Sequence, residues 1–381
     1  MKRILDTPVV GILGGGQLAR MSSLAAYPLG VQIATLEKQQ NSPAGATTKN
    51  EYVGWVDDAE VVAQFAEECD VITLENEFIS GELLAQIQEK HVEVIPSPKT
   101  ISLIQNKYTQ KLTLAEKGIA VPEFVLVRVG DTYEQIKELA GEKFVLKSAT
   151  MGYDGYGNAT VSNKKEFNTA IKKLRLRSEM VYAERFVPFV KELAVMVVRT
   201  KTETATYPVV ETIQENHICK YVLAPASIDE KIAKKAKALA IQSVEAVEGY
   251  GLFGVELFLT KNGQLFVNEM APRPHNSGHF SIDACVTSQF ENHIRAVLNM
   301  PIGDTSMKVE ASVMVNILGK RNAPFSMKRY KEAFTFKDAA VHFYGKHESR
   351  KGRKMGHITF VGKSLNTLLR KAKEIDSKIT L

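Results

Sequence analysis

Cysteine is scarce in this chain. Only Cys69, Cys219 and Cys285 occur in 381 residues, they lie far apart, and no C-x-x-C pair exists. Neither a disulfide framework nor a thiolate metal site is indicated, and a reducing cytoplasm is the expected setting. Long hydrophobic runs are missing too. None approaches the roughly 18 residues that would span a bilayer. After MKRIL, Asp6, Pro8 and the glycines interrupt any signal-peptide core. A large excess of either charge is lacking, with 49 basic and 43 acidic residues. The net +6 suits a protein that handles phosphorylated anions but does not demand nucleic acid. Low-complexity tracts and internal repeats are absent. What remains has a globular composition, long enough at roughly 150 residues per domain for two or three domains.

The first hundred residues alternate short apolar runs with amphipathic stretches. VVGIL, VQIATL, DVITL and VEVI read as strands, with helices near 17–28, 58–68 and 80–90. That order predicts a parallel sheet with helices on its faces. Pro96 and Pro98 mark a boundary. A helix over 106–118 follows, ending at Gly118. A small α+β module comes next, then β-rich sequence from 179 to 223. A long helix at 228–249, a hairpin, a helix at 282–299, a few strands and a closing helix from 364 complete the chain.

The stretch VVGILGGGQLARM opens that first module. Gly14, Gly16 and Ala19 satisfy the dinucleotide-binding pattern G-x-G-x-x-G/A, and Glu37 follows about 20 residues on, as in nicotinamide-binding units. Free N–H groups at such a helix N-terminus bind anions generally.

GVELFLTKNGQLFVNEMAPRPHNSGH, 254 to 279, carries more information. Asn262-Gly263 between apolar runs predicts a tight two-residue hairpin. Lys261 then pairs with Gln264, and Glu256 faces Glu269. Opposed like charges are unfavourable. A divalent cation such as Mg²⁺ would compensate; a solvated edge with two tolerated glutamates is equally open. The same register puts Asn268 on the other face, so a ligand role there needs a bulge. Arg273, His275, Asn276, Ser277 and His279 then offer polar groups in quick succession, as a binding loop for an anionic substrate would.

In KFVLKSATMGYDGYGNA, Lys147 ends an apolar strand before a loop with Gly152, Gly155 and Gly157. Such a loop brings backbone N–H groups to phosphates or is a flexible hairpin tip. It is not a Walker A motif, because the lysine precedes the glycines. Glu184 and Glu192 are acidic residues in apolar strands, either exposed or accepting from a nucleotide.

Together these pieces resemble the ATP-grasp superfamily and, within it, the 5-(carboxyamino)imidazole ribonucleotide synthase family. GILGGGQLARM, GYDGYGN, NEMAPRPHNSGH and HFYGKHESRKGRKMGHIT fall in order along nearly the whole chain. The resemblance implies a Rossmann-like parallel-sheet domain at 1–104, an ATP-grasp domain at 105–300 with its lid at about 120–183, and a small C-terminal domain at 301–381. It implies an α/β and α+β ligase that carboxylates 5-aminoimidazole ribonucleotide with bicarbonate and ATP in purine biosynthesis, through carboxyphosphate.

By motif, ATP would meet Lys107, Lys147, the lid residues Gly152, Tyr153, Asp154, Gly155, Tyr156, Gly157 and Asn158, the backbone of Glu184, Arg185, Phe186 and Val187, then Glu192, His217, Asn268 and Glu269. Glu256 and Glu269 would hold Mg²⁺. The ribonucleotide would lie near Gln17, Leu18, Glu75, Asn276, Ser277, Gly278 and His279, with Lys346 and Arg353 on its phosphate. Arg273, Asp154 and His275 are the implied catalytic residues. A cytoplasmic homodimer without nucleic-acid or membrane partners is implied as well. The lid departs from the family's GYDGKGQ at Tyr156 and Asn158. The usual Y-E-F-E-N reads LENEF at 74–78, and GGGQLGRM has Ala19 in place of a glycine. The alternatives are another ATP-grasp ligase, such as formate-dependent glycinamide ribonucleotide transformylase, and an NAD-dependent oxidoreductase. The basic run KHESRKGRK lacks the interleaved aromatics of a nucleic-acid binder.

Overall fold

The computed structural model describes residues 7–150, 157–176, 178–215 and 217–379. Among the described residues the strands form four sheets. The first has five parallel strands, ordered Asn50–Val53, Gln32–Glu37, Val9–Leu13, Val71–Leu74, Glu93–Val94. Val9–Leu13 is buried along its whole length, as the middle strand of a sheet covered on both faces must be. Asn50–Val53 was not expected. Its sequence NEYV is polar and only partly buried, because it sits at the sheet edge.

Pro96 and Pro98 do not open a linker. Ser97 caps a helix at Pro98–Gln105, with Pro98 in the first turn, where its missing N–H costs nothing. Asn106 then caps a second helix, Lys107–Glu116. These two helices lead from the first sheet to the others.

The second sheet has four antiparallel strands in the order Phe124–Val127, Val181–Arg185, Phe144–Ser148, Asn158–Val161. Helices Tyr133–Ala140 and Lys164–Arg175 bury Ile136, Phe167 and Leu174 against it. The largest sheet runs Leu265–Ala271, Gly251–Thr260, Phe189–Arg199, Val210–Glu215, Ile218–Ala224, Ala311–Leu318, Lys354–Gly362, Ala339–Phe343. It therefore joins the central part of the chain to its C-terminal part through one hydrogen-bonded pair, Ile218–Ala224 with Ala311–Leu318. Helix Glu230–Ala246 covers one end of the sheet and helix Leu365–Lys378 the other.

The expected helix at 282–299 is two. Ser281–Ala284 ends at Cys285, which pairs with Met307, and Ser288 caps a new helix at Gln289–Val297. The β-branched Val286 and Thr287 and the capping serine explain the break.

The hairpin also differs from expectation. Thr260, not Lys261, bonds to Gln264, and Gly263 closes the turn at φ 79° with its N–H on Thr260 O. This is a three-residue loop with a left-handed glycine. Near the turn the register is thus one residue off the predicted one. A bulge restores it: Leu257 pairs with Val267 while Glu256 pairs with Glu269, leaving Asn268 as the extra residue.

Candidate active site

The bulge is where three elements meet. Leu265–Ala271 is the edge of the large sheet, and an edge exposes unpaired backbone groups. Helix Lys107–Glu116 covers this one with side chains at i, i+3 and i+4, which share a helix face. Gln110 bonds both backbone groups of Met270, at 2.9 and 3.0 Å. Lys111 donates to Asn268 O at 3.1 Å and Val267 O at 3.4 Å. Lys107 pairs with the Glu269 carboxylate.

The four-stranded sheet adds two more groups. Lys147 and Glu184 lie on neighbouring strands and form an ion pair at 2.8 Å. Lys147 also donates to Asn268 Oδ1 at 3.1 Å, and Asn268 Nδ2 reaches Glu256 Oε2 at 3.4 Å. The bulge thus turns Asn268 toward the glutamates. Glu184 is buried between Lys147 and Lys111, which lies 2.7 Å away. Burial alone would raise the Glu184 carboxyl, but the two lysines hold it below the usual range. Burial pushes the Lys111 ammonium down to about 8 against the pull of Glu184.

Glu256 and Glu269 share one small space. Burial and the Glu269 charge push the Glu256 carboxyl up, with Glu192 adding to the effect. Burial would raise Glu269, but Lys107, with Lys147 and His275 adding to it, holds it low. Burial also raises Glu192, whose neighbours include Gln214. The two carboxyls are thus pushed in opposite directions, Glu256 upward and Glu269 downward beside its lysine.

Past the hairpin, Arg273 forms a two-bond pair with Glu77, at 2.5 and 3.1 Å. This ties the loop after Val71–Leu74 to the end of Leu265–Ala271. His275 Nε2 stands 3.5 Å from Glu256, and its Nδ1 is 2.6 Å from Ser277 Oγ. Burial, Arg273 and Lys354 lower the His275 imidazole to about 4, so it is neutral near pH 7. Asn276 and His279 turn the other way, into the protein, and Gly278 lies close against Gln289.

The glycine turn at 14–16 does not have the free N–H groups expected of it. Glu37 accepts from Gly15 N at 2.9 Å. Glu75 accepts from Gly16 N, and from Leu18 N at 3.1 Å. A dinucleotide pyrophosphate would meet two carboxylates here, so the nicotinamide reading has no seat. Gln17 opens the helix at this point. Lys346 lies near enough to Glu75 to draw its carboxyl down against the larger rise from burial, and it donates to Lys354 O at 2.8 Å. Arg353 donates to Glu348 O at 2.9 Å. The segment around Lys346 thus lies beside the N-terminal glycine turn.

The remaining residues are more peripheral. Arg185 is exposed and pairs with Glu123, Phe186 lies under Lys143, and Val187 caps a turn to Phe189. His217 is exposed at the tip between Val210–Glu215 and Ile218–Ala224. Gly157 accepts from Ser148 N, and Asn158 pairs with Lys147 across the strands. Gly152, Tyr153, Asp154, Gly155 and Tyr156 lie outside the described residues. Lys111, Gln110, Glu77 and Lys354 were missed from sequence. Gln110 and Lys111 stood there only as part of the expected helix at 106–118. Glu77 was visible only as part of LENEF.

Comparison with known proteins agrees with this geometry. Residues 7–105 match a ribonucleotide synthetase preATP-grasp domain and 112–290 an ATP-grasp domain. Residues 312–371 match a phosphoribosylaminoimidazole carboxylase C-terminal domain. An N5-carboxyaminoimidazole ribonucleotide synthase from Synechococcus elongatus is 38% identical over 94% of this chain and 91% of its own. The chain belongs to the N5-carboxyaminoimidazole ribonucleotide synthase family. It is an ATP-grasp ligase with an N-terminal parallel-sheet domain and a C-terminal domain. A synthase of this family from Aspergillus clavatus, solved with ADP and 5-aminoimidazole ribonucleotide, is 36% identical. It superposes with a TM-score of 0.89, covering 98% of this chain and all of that one. The phosphoribosylaminoimidazole carboxylase of Ogataea methanolica is 43% identical over 98% of this chain. Such relatives are longer: the chain spans 70% of that one and 65% of the Vigna aconitifolia one.

Proposed function

We propose that the chain carboxylates 5-aminoimidazole ribonucleotide with bicarbonate, converting ATP to ADP and phosphate, as a step of purine synthesis. One observation carries the reading: the bulge that gathers Glu256, Asn268 and Glu269 against Lys107 and Lys147. Two facing carboxylates and an amide oxygen are hard oxygen donors, and their mutual repulsion is what a cation would relieve. The donor set fits Mg²⁺, with Glu256 and Glu269 as its holders. Bound there, the ion would neutralise phosphate charge during phosphoryl transfer.

In this reading Lys107 and Lys147 exchange their carboxylates for the ATP phosphates. The backbone at 184–187 meets the adenine edge, and Glu192 the ribose, with His217 near the nucleotide. By the family resemblance the 152–158 segment, with Asp154, would lie against the phosphates; exclusion of water there would protect carboxyphosphate. The ribonucleotide enters the cleft between Gln17, Leu18 and Glu75 on one side and Lys346 and Arg353 on the other. Arg273, held by Glu77, and neutral His275 line its path toward ATP. Domain limits near 104 and 300, a homodimer and a cytoplasmic setting belong to the same reading.

ADP release is the test. With MgATP and bicarbonate present, aminoimidazole ribonucleotide should stimulate it strongly. Glycinamide ribonucleotide with formate should not. Stimulation by the second pair alone would move the chain to the transformylase reading.

A further inference from the structure

The 275–279 loop has a second face, and the large sheet answers it residue by residue. Asn316, His357 and His342 sit on three adjacent strands and are direct cross-strand partners, Asn316 with His357 and His357 with His342. Side chains opposed in this way project from one face of a sheet. They make a polar row in a face otherwise apolar around Met314. Over it runs the segment from the 3-10 turn Asn276–Gly278 to helix Ser281–Ala284. Its residues 276, 279 and 283 recur at helical spacing and so share a side.

Each of the three meets one member of the row. Asn276 and Asn316 exchange two amide hydrogen bonds, at 2.9 and 2.6 Å, in the buried interior. The His279 ring packs 5.2 Å from the His357 ring, both fully buried. Asp283 accepts from His342 Nε2 at 2.9 Å. Asp283, His342 and His357 are close enough together to suggest a cation. However, the two imidazoles are stacked, 4.5 Å apart and 19° from parallel, so their ring-plane lone pairs run side by side and do not converge. The cluster is a contact between two elements.

We propose that Asn316, His357 and His342 are positioning residues that set the 275–279 loop, and through it His275 and Ser277, against the ribonucleotide. The inference rests on the function proposed above. Its physical basis is that the two hydrogen-bonded contacts, Asn276 with Asn316 and Asp283 with His342, lock one relative placement, because a slip leaves a donor or acceptor unpaired, while the His279 and His357 rings only pack. Apolar packing would tolerate such a slip. The row belongs to the C-terminal part of the chain, so residues remote in sequence from the 275–279 loop would govern how the ribonucleotide is held.

His342 gives the cleaner test, since it is only partly buried and its polar contact is with Asp283 and not with residues 275–279. His342→Leu removes the donor to Asp283; His342→Gln keeps one. The leucine variant should lower kcat/KM for the ribonucleotide by about tenfold, the scale of one lost hydrogen bond to a charged group. MgATP affinity, measured by titration without ribonucleotide, should stay within about twofold. The glutamine variant should recover most of the loss. Asn316→Leu should act in the same direction; if it does not fold, the His342 pair decides. Unchanged ribonucleotide kinetics in His342→Leu overturn the proposal. So does an equal loss of ATP affinity that glutamine does not rescue, which is the mark of a merely structural contact. Wild-type protein separates the two levels. If it shows no ribonucleotide-dependent ADP release, the proposed function itself falls and the positioning role with it.

Discussion

At the scale of single residues, the site is a set of charges that satisfy one another until substrates arrive. Glu269 is matched by Lys107, and Glu184 by Lys111 and Lys147. Glu256 has no lysine of its own and carries the burden of repulsion, which is why its carboxyl is pushed up. Glu269→Gln should therefore fold normally and lose most ATP turnover, by roughly a hundredfold or more, the scale of a lost charge-stabilising group. Circular dichroism and ADP release together check this; near-normal turnover at ordinary Mg²⁺ would sink the metal assignment. Lys111 poses a different question, because it reaches the site from behind. It holds Glu184 on one side and the carbonyls of the bulge on the other. Lys111→Met keeps the buried stem and removes the donors. We expect weaker MgATP binding, by about tenfold, since both Glu184 and Asn268 lose an anchor. Titration with MgATP measures it, and unaltered affinity would reduce Lys111 to packing.

At the scale of elements, the hairpin Gly251–Ala271 shows how two departures can cancel. The turn takes three residues where two were expected, and the bulge at Asn268 absorbs the difference. Glu256 and Glu269 face each other as predicted, but through a bulge and not through continuous pairing. The bulge is also what makes Asn268 available, and the edge strand tolerates it because Gln110 and Lys111 replace a missing neighbour strand. Gly263 stands at φ 79°, where a Cβ is strained, though the nearest atom to it, Ile232 Cδ1, is 3.4 Å away. Gly263→Ala should thus cost about 1 kcal/mol of stability from backbone strain alone. Its ATP turnover should match wild type, because the bulge sets the site's register independently of the turn. A chemical denaturation curve and a turnover assay would show this; lost activity with intact stability would mean that the turn itself sets the site.

At the scale of the whole molecule, segments from opposite parts of the sequence are brought side by side. Arg273 and Glu77 join the first sheet to the large one, and Lys346 comes up beside Glu75. The Glu77 carboxyl is lowered: burial alone would raise it, but the Arg273 guanidinium outweighs that. A carboxyl depressed by folding contributes stability above its unfolded value, near 4.5, and loses it as pH falls through the folded one. Glu77→Gln should therefore destabilise the protein at pH 7 by roughly 1–3 kcal/mol, the cost of a lost charged hydrogen bond. The gap to wild type should narrow below about pH 4. Thermal melts of both proteins across pH 3 to 7 give the comparison. A gap that stays constant with pH would show that the pair does not carry the linkage.

The sequence by itself determined the parallel first sheet, the order of the modules and the facing glutamates. These depend on local signals: short apolar runs alternating with amphipathic stretches, glycine at a turn, and the sign of neighbouring charges. It could not determine which groups use the glycine turn's donors, because Glu37 and Glu75 arrive from other strands. Nor could it show that Lys111 serves a bulge across the site, or that Asn276 and His279 turn away from it to meet Asn316 and His357. A polar residue in a one-dimensional pattern has a type and a position but no partner. Only the tertiary structure chooses the partner, because burial makes an unpaired donor or charge too costly and leaves few placements that satisfy all of them together.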